Sequence, residues 1–209
     1  MKDDPIEQTD QTDIRMREYI TAQIGEARRV MAAMLMDDSL LAQLERAARA
    51  CVSSIKNGGK VLLAGNGGSA ADAQHIAAEF VSRFAFDRPG LAAIALTTDT
   101  SILTAVGNDY GFEKLFARQL QALGNKGDVF IAYSTSGKSP NILLALQEAR
   151  ARGLTCIGFS GNRGGPMAER CDHYLAVPSA DTPKIQEGHL VLGHILCGLA
   201  ENAMFGKPA

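Results

Sequence analysis

Five short apolar runs punctuate the chain: VLLA (61–64), AAIAL (92–96), VFIAYS (129–134), TCIGF (155–159) and YLAV (174–177). None alternates strictly between apolar and polar positions. Each is followed by a cluster of Gly, Ser, Thr, Asn or Pro, and most then by a helical pattern. Strands that are apolar on both faces and separated by helices predict a parallel sheet covered on both sides. Ahead of them, from Ile20, apolar residues recur at helical spacing at Ile24, Ala27, Met31, Met34 and Leu35. Asp37-Asp38-Ser39 interrupts and caps. Leu41, Leu44, Ala48, Cys51 and Ile55 then predict a second amphipathic helix, closed by Asn57-Gly58-Gly59. A last helical pattern runs over about 184–204. The expected fold class is α/β: a single doubly wound domain with a five-stranded parallel sheet flanked by helices, plus N-terminal helices. Residues 1–13 read as a disordered tail and 14–209 as one domain, with no linker, low-complexity tract or solenoid period.

Composition narrows the function classes. The 209 residues are 46% hydrophobic and 21% charged, a globular balance that excludes a disordered or fibrous chain. A formal charge of −2 argues against a nucleic-acid groove or an anionic-membrane binder. With 6% aromatics and no Trp, a base-stacking platform is disfavoured too. No apolar run approaches the ~18 residues of a membrane span. The polar, acidic N-terminus lacks a signal region, so a cytoplasmic location is expected. Cys51, Cys156, Cys171 and Cys197 are scattered among aliphatic residues without CxxC spacing, as reduced core cysteines would be.

Ligands of open parallel sheets bind beyond the strand carboxyl ends, beside helix N-termini. Two such ends carry candidate chemistry: Gly65-Asn66-Gly67-Gly68-Ser69 before a helix expected over Ala70–Phe84, and Ser134-Thr135-Ser136-Gly137-Lys138-Ser139 before a helix from Pro140. Either loop alone is equally a tight turn. Together they point to an anion, because glycines let backbone N–H groups converge, hydroxyls add donors and the helix dipoles favour negative charge. Neither loop is GxxxxGK[ST] or GxGxxG, so nucleotide hydrolysis and dinucleotide binding lose support in favour of a small phosphorylated polyol. His75 and Glu79, four residues apart, share a helix face and suit either a metal or a plain surface pair. Gln186 and His194 lie on faces about 80° apart and reach one site only if their helix runs alongside it. His189 reads as a surface or interface histidine, and His194, amid Leu192, Ile195 and Leu196, as a core histidine or a ligand. Thr98-Asp99 and Asn108-Asp109 suit hydroxyl binding or helix capping equally. Arg83 suits a phosphate contact or a solvated role at a helix end. The glycines from Gly161 to Gly165 read as a turn.

The runs Gly65–His75, Gly107-Asn108-Asp109, Ser134–Ser139 and Ile185–His189, with His194, resemble the SIS (sugar isomerase) domain family and, within it, the phosphoheptose isomerases. The resemblance covers roughly residues 20–205. The serine loops identify the superfamily alone; His75, Glu79, Gln186 and His194 together are more specific. The resemblance implies one zinc ion per subunit on His75, Glu79, Gln186 and His194, with Glu79 and His194 as the acid–base pair. It implies substrate contacts at Asn66, Gly67, Gly68, Ser69, Glu79, Arg83, Asn108, Asp109, Ser134, Thr135, Ser136, Ser139 and Gln186. It further implies a homotetramer with sites built across subunit contacts. The implied reaction converts sedoheptulose 7-phosphate to D-glycero-D-manno-heptose 7-phosphate through an enediol or enediolate, the first step of activated heptose synthesis for lipopolysaccharide or capsule. Some relatives instead bind proteins such as the replication initiator DnaA, or sense a sugar phosphate without turnover. A scaffold has no physical need for the four metal-type residues, which sets this alternative second. No role is carried over to Asp181–Lys184, and the N-terminal tail lies outside the resemblance.

Overall fold

A computed structural model of the chain describes residues 5–162 and 165–206. Two long helices come first, α1 (Pro5–Leu35) and α2 (Asp38–Lys56). Then follow β1 (Val61–Ala64), α3 (Gly68–Val81), β2 (Ala93–Ala95), α4 (Thr100–Tyr110) and α5 (Leu115–Leu123). The chain continues through β3 (Val129–Tyr133), α6 (Pro140–Ala151), β4 (Thr155–Gly161), β5 (His173–Val177) and α7 (Thr182–Phe205). The five strands form one parallel sheet in the order β2-β1-β3-β4-β5.

Both sheet faces are packed, which explains the continuous apolar runs. On one side Val61, Leu63, Val129, Ile131 and Tyr133 meet α1, α2, α3 and α7; on the other Leu62, Ala64, Phe130 and Ala132 meet α4, α5 and α6. Asp37 caps α2 as expected, its side chain accepting from Leu40 N at 3.0 Å. At the floor of the sheet Asp128, 1% exposed, accepts from Lys60 N and Lys60 Nζ at 3.0 and 2.6 Å. It thereby ties the start of β1 to the start of β3.

Three elements differ from expectation. α1 begins at Pro5, inside the segment 1–13 read as a disordered tail; Pro at a first helical position has its φ already set for a helix, and no glycine occurs between it and Gly25. Residues 1–4 lie outside the described residues. α3 starts at Gly68 and ends at Val81, short of Phe84. β4 runs on to Gly161, so that residue belongs to the sheet and not to a turn; Arg163 and Gly164 of the expected turn are outside the described residues. The four cysteines are free, and burial pushes the Cys51, Cys156 and Cys171 thiols up to about 12, away from nucleophilic use. Among the described residues no helix is long and apolar enough to cross a membrane.

Candidate active site

The strand order places the topological switch between β1 and β3, and the two candidate loops leave the sheet side by side there. Gly67, with φ +57°, turns the first loop into α3, and Gly137, with φ +64°, turns the second. Gly65 is required by a close approach: a Cβ there would stand 2.4 Å from Ser69 O. Neither α3 nor α6 has a side-chain N-cap, so the positive ends of both helices face the crevice with hydroxyls around them. Ser134 Oγ and Ser139 Oγ lie 3.1 Å apart, and Ser136 Oγ accepts from Lys138 N at 3.2 Å. Ser69 and Ser134 are buried, Thr135 and Ser139 half-buried, and Ser136 open to solvent. Asn66 and the buried Asn141 exchange amide hydrogen bonds of 2.9 and 2.8 Å across the crevice. Asn141 escaped the sequence reading because a single Asn inside a helical pattern carries no spacing signal.

A second cluster lies on the face of the sheet where α3 and α7 run side by side. His75 Nε2 and His194 Nε2 are 2.8 Å apart, and His75 Nε2 is 3.5 Å from Glu79 Oε1. All three ligand-type atoms fall within 4.8 Å of one another. The i, i+4 spacing supplies His75 and Glu79 from α3. Gly193 lets α7 approach, since a Cβ there would sit 2.7 Å from Ile76 Cδ1; this brings His194 to His75. Their rings meet edge to face at 5.0 Å, and Phe84 flanks His194 at 5.7 Å. Two imidazole nitrogens and a carboxylate converging in this way form a donor set that suits zinc, whose tetrahedral ligands stand about 3.3 Å apart. On α3 just ahead of them Asp72 has a buried Oδ2 without a partner, and burial pushes its carboxyl up to about 6 against the opposing pull of His75.

The other expected residues are distributed unevenly. Gln186 meets the condition that its helix run alongside, but its carboxamide lies against Gly68, where a Cβ would stand 2.4 Å from Nε2. That point is about 10 Å of helix rise ahead of His75. Arg83 is exposed beyond the end of α3, past about 18 Å of helix counted from Ser69 to Val81. Asn108 and Asp109 sit exposed in the last turn of α4, joined by a 2.8 Å hydrogen bond and about 13 Å of rise from the strand end. Asp99 caps α4 by accepting from Ile102 N, and Thr98 Oγ1 donates to Ala95 O. The two histidines of α7 part company. His189, read as a surface or interface residue, is fully buried with Nε2 3.2 Å from Ser160 O, while His194, which the sequence left open between core and ligand, reaches the cluster. Burial pushes the His189 imidazole down to about 4.

The SIS domain family model matches residues 24–161. The chain is 76% identical over 189 residues to the phosphoheptose isomerase of Burkholderia pseudomallei (strain 1710b), covering 90% of this chain and 96% of that protein. It is 57% identical over 190 residues to the phosphoheptose isomerase of Aneurinibacillus thermoaerophilus, covering 91% and 96%. The solved phosphoheptose isomerase GmhA of Neisseria gonorrhoeae superposes with a TM-score of 0.84 at 41% identity, over 90% of this chain and 99% of that one. A serine-lined crevice at the sheet's switch point and a histidine–carboxylate cluster on the same scaffold thus have relatives along nearly the whole chain, and the chain belongs to the SIS domain family and, within it, to the phosphoheptose isomerases.

Proposed function

We propose that the protein interconverts sedoheptulose 7-phosphate and D-glycero-D-manno-heptose 7-phosphate, with the phosphate in the Ser69/Ser134–Ser139 crevice and the reacting carbons at His75, Glu79 and His194. The observation that carries this reading is the approach of the His75 and His194 Nε2 atoms to 2.8 Å beside the Glu79 carboxylate. These residues, with Gln186 reaching them from the crevice of a neighbouring subunit as a fourth ligand, would hold zinc, which when bound supplies a Lewis acid for the C2 carbonyl oxygen. The reaction moves one proton from C1 to C2 and another from O1 to O2, with no net redox change. Glu79 and His194 divide these transfers, one serving the carbons and the other the oxygens, and the one that takes the proton would have to loosen from the metal while it does so. The crevice holds the phosphate through the Ser134, Ser136 and Ser139 hydroxyls and the N-terminal turns of α3 and α6.

A single chain separates the two halves of this site. From Ser69 to Glu79 the helix rises about 15 Å, whereas the bonds from C1 to phosphorus span ~10 Å at about 1.2 Å each. We infer that one subunit supplies the crevice and a neighbour supplies the cluster and Arg83, within a tetramer. The exposed apolar residues Ile20, Ile24, Leu41, Val191, Ile195 and Leu199 on α1, α2 and α7 supply surface for such contacts. Incubating purified protein with sedoheptulose 7-phosphate and following the aldose tests the reaction. Absence of aldose from zinc-loaded protein would overturn it.

A further inference from the structure

Beyond the end of α3 the chain turns through residues 82–90 and is held by one buried ion pair. Arg88 Nε donates to Glu201 Oε1 at 3.0 Å, and both side chains are almost fully buried, at 2% and 1% exposure. The rest of the guanidinium reads the end of α3: Nη2 donates to Glu79 O at 2.8 Å, and Nη1 to Phe80 O at 2.7 Å and Ser82 O at 3.2 Å. These include carbonyls that a helix C-terminus leaves without an intrahelical partner. Glu201 in turn accepts from Phe84 N at 2.9 Å and Ala85 N at 2.7 Å. A buried ion pair adds little stability over an apolar pair of similar volume. What it supplies here is direction, because the planar guanidinium fork fits several acceptors at once where an ammonium could not.

The pair touches the cluster from both sides. Arg88 holds the backbone carbonyl of Glu79 itself. Glu201 lies seven residues beyond His194 on α7, about 20° around the same face, and fixes the backbone of Phe84, whose ring flanks His194. Gly198 leaves the slot for that ring, since a Cβ there would stand 3.2 Å from Phe84 Cε1. We propose that Arg88 and Glu201 are positioning residues that lock α3 to α7 and thereby set Glu79 and His194 for metal binding and proton transfer. The assignment rests on the reading of the His75–Glu79–His194 cluster as the reacting centre.

The test compares wild type with Arg88→Lys, Glu201→Gln and Arg88→Met/Glu201→Leu. Zinc affinity is read by chelator competition, the site's symmetry by the absorption spectrum of the cobalt(II) form, and kcat and KM with sedoheptulose 7-phosphate. Glu201→Gln turns an NH2 group toward Ala85 N–H, and Arg88→Lys keeps the charge but loses the fork. Both should bind zinc 10- to 100-fold more weakly, the range for residues that orient metal ligands, with an altered cobalt spectrum, a lower kcat and an unchanged KM. The double variant removes both buried charges, so it should unfold cooperatively like wild type yet show the same metal and kcat losses. Wild-type zinc affinity and kcat in the folded variants would overturn the proposal. Failure of all three to fold would overturn it equally, by making the pair a requirement of the fold. If wild type itself neither binds zinc nor isomerises, the reading of the cluster fails first and takes this assignment with it.

Discussion

Asn66 and Asn141 trade two amide hydrogen bonds, so each side chain is the other's donor and acceptor across the β1–β3 crevice. The pair sets the spacing of the two serine loops. Asn141→Ala should cost roughly 1–3 kcal/mol, because it removes both bonds and leaves Asn66 unpartnered in a half-buried place. Urea unfolding should show that loss together with a raised KM for the sugar phosphate. An unchanged midpoint would mean that the loops are held elsewhere.

The hydroxyls themselves are open to test. Ser134 and Ser139 share one hydrogen bond, which needs a single O–H and leaves the other to donate. Ser136 accepts from Lys138 N and keeps its own hydrogen free. Ser136→Ala should weaken phosphate binding by about 1.5–3 kcal/mol, or roughly 10- to 150-fold. Ser134→Ala/Ser136→Ala should bind more weakly still with the fold intact. Wild-type affinity in the double variant, measured by calorimetry, would remove the loops from the site.

Metal dependence separates Glu79 from its neighbours. Chelation should abolish turnover and zinc should restore it. Glu79→Gln keeps the shape but loses a negative ligand and a proton acceptor, and should fall at least about 10²-fold in rate. His189→Ala should leave metal content unchanged, because its ring faces Ser160 O and lies outside the cluster. Full activity in metal-free protein would leave these residues as an acid–base cluster alone.

His189 also writes a signature on the acid limb of stability. Its imidazole is held near 4 in the fold by burial, partly opposed by the bond to Ser160 O, against an ordinary value of 6.5. Between those values the unfolded chain binds a proton that the native state refuses, so the contribution is complete above pH 6.5 and is lost as pH falls toward 4. The loss amounts to about 3 kcal/mol. Asp72, pushed up to about 6, contributes the opposite slope, so the readout is the difference between wild type and His189→Leu. Parallel pH profiles of the two unfolding free energies would refute the assignment.

Sedimentation at micromolar concentration should give a closed tetramer. A fully active monomer would contradict the sharing of the site between subunits.

Much of the scaffold was legible in the chain. The β1 run VLLA matches the strand residue for residue, because a strand buried on both faces has no polar position to blur its ends. The α3 boundary was misread because Phe84 continues the apolar pattern, while the helix stops where Arg88, distant in the pattern, takes up its last carbonyls. Local neighbours misled at His189 and left His194 open between core and ligand. Leu192, Ile195 and Leu196 suggest burial of His194, but Gly193 opens the groove that exposes its ring to α3, a fact only the helix crossing supplies. His75 and Glu79 were visible because i, i+4 spacing survives folding unchanged, whereas Arg83, Asn108 and Asp109 are set apart from the crevice by helix lengths that a motif does not record.

The rise of α3 that parts the serine crevice from Glu79 has a genetic consequence. A chain damaged in its crevice still carries a sound cluster, and one damaged in its cluster still carries a sound crevice. Where neighbouring subunits pair these halves, two impaired alleles such as Ser134→Ala/Ser136→Ala and Glu79→Gln should complement each other in one cell, because mixed assemblies unite the two undamaged parts. Two alleles hit in the same half should never do so.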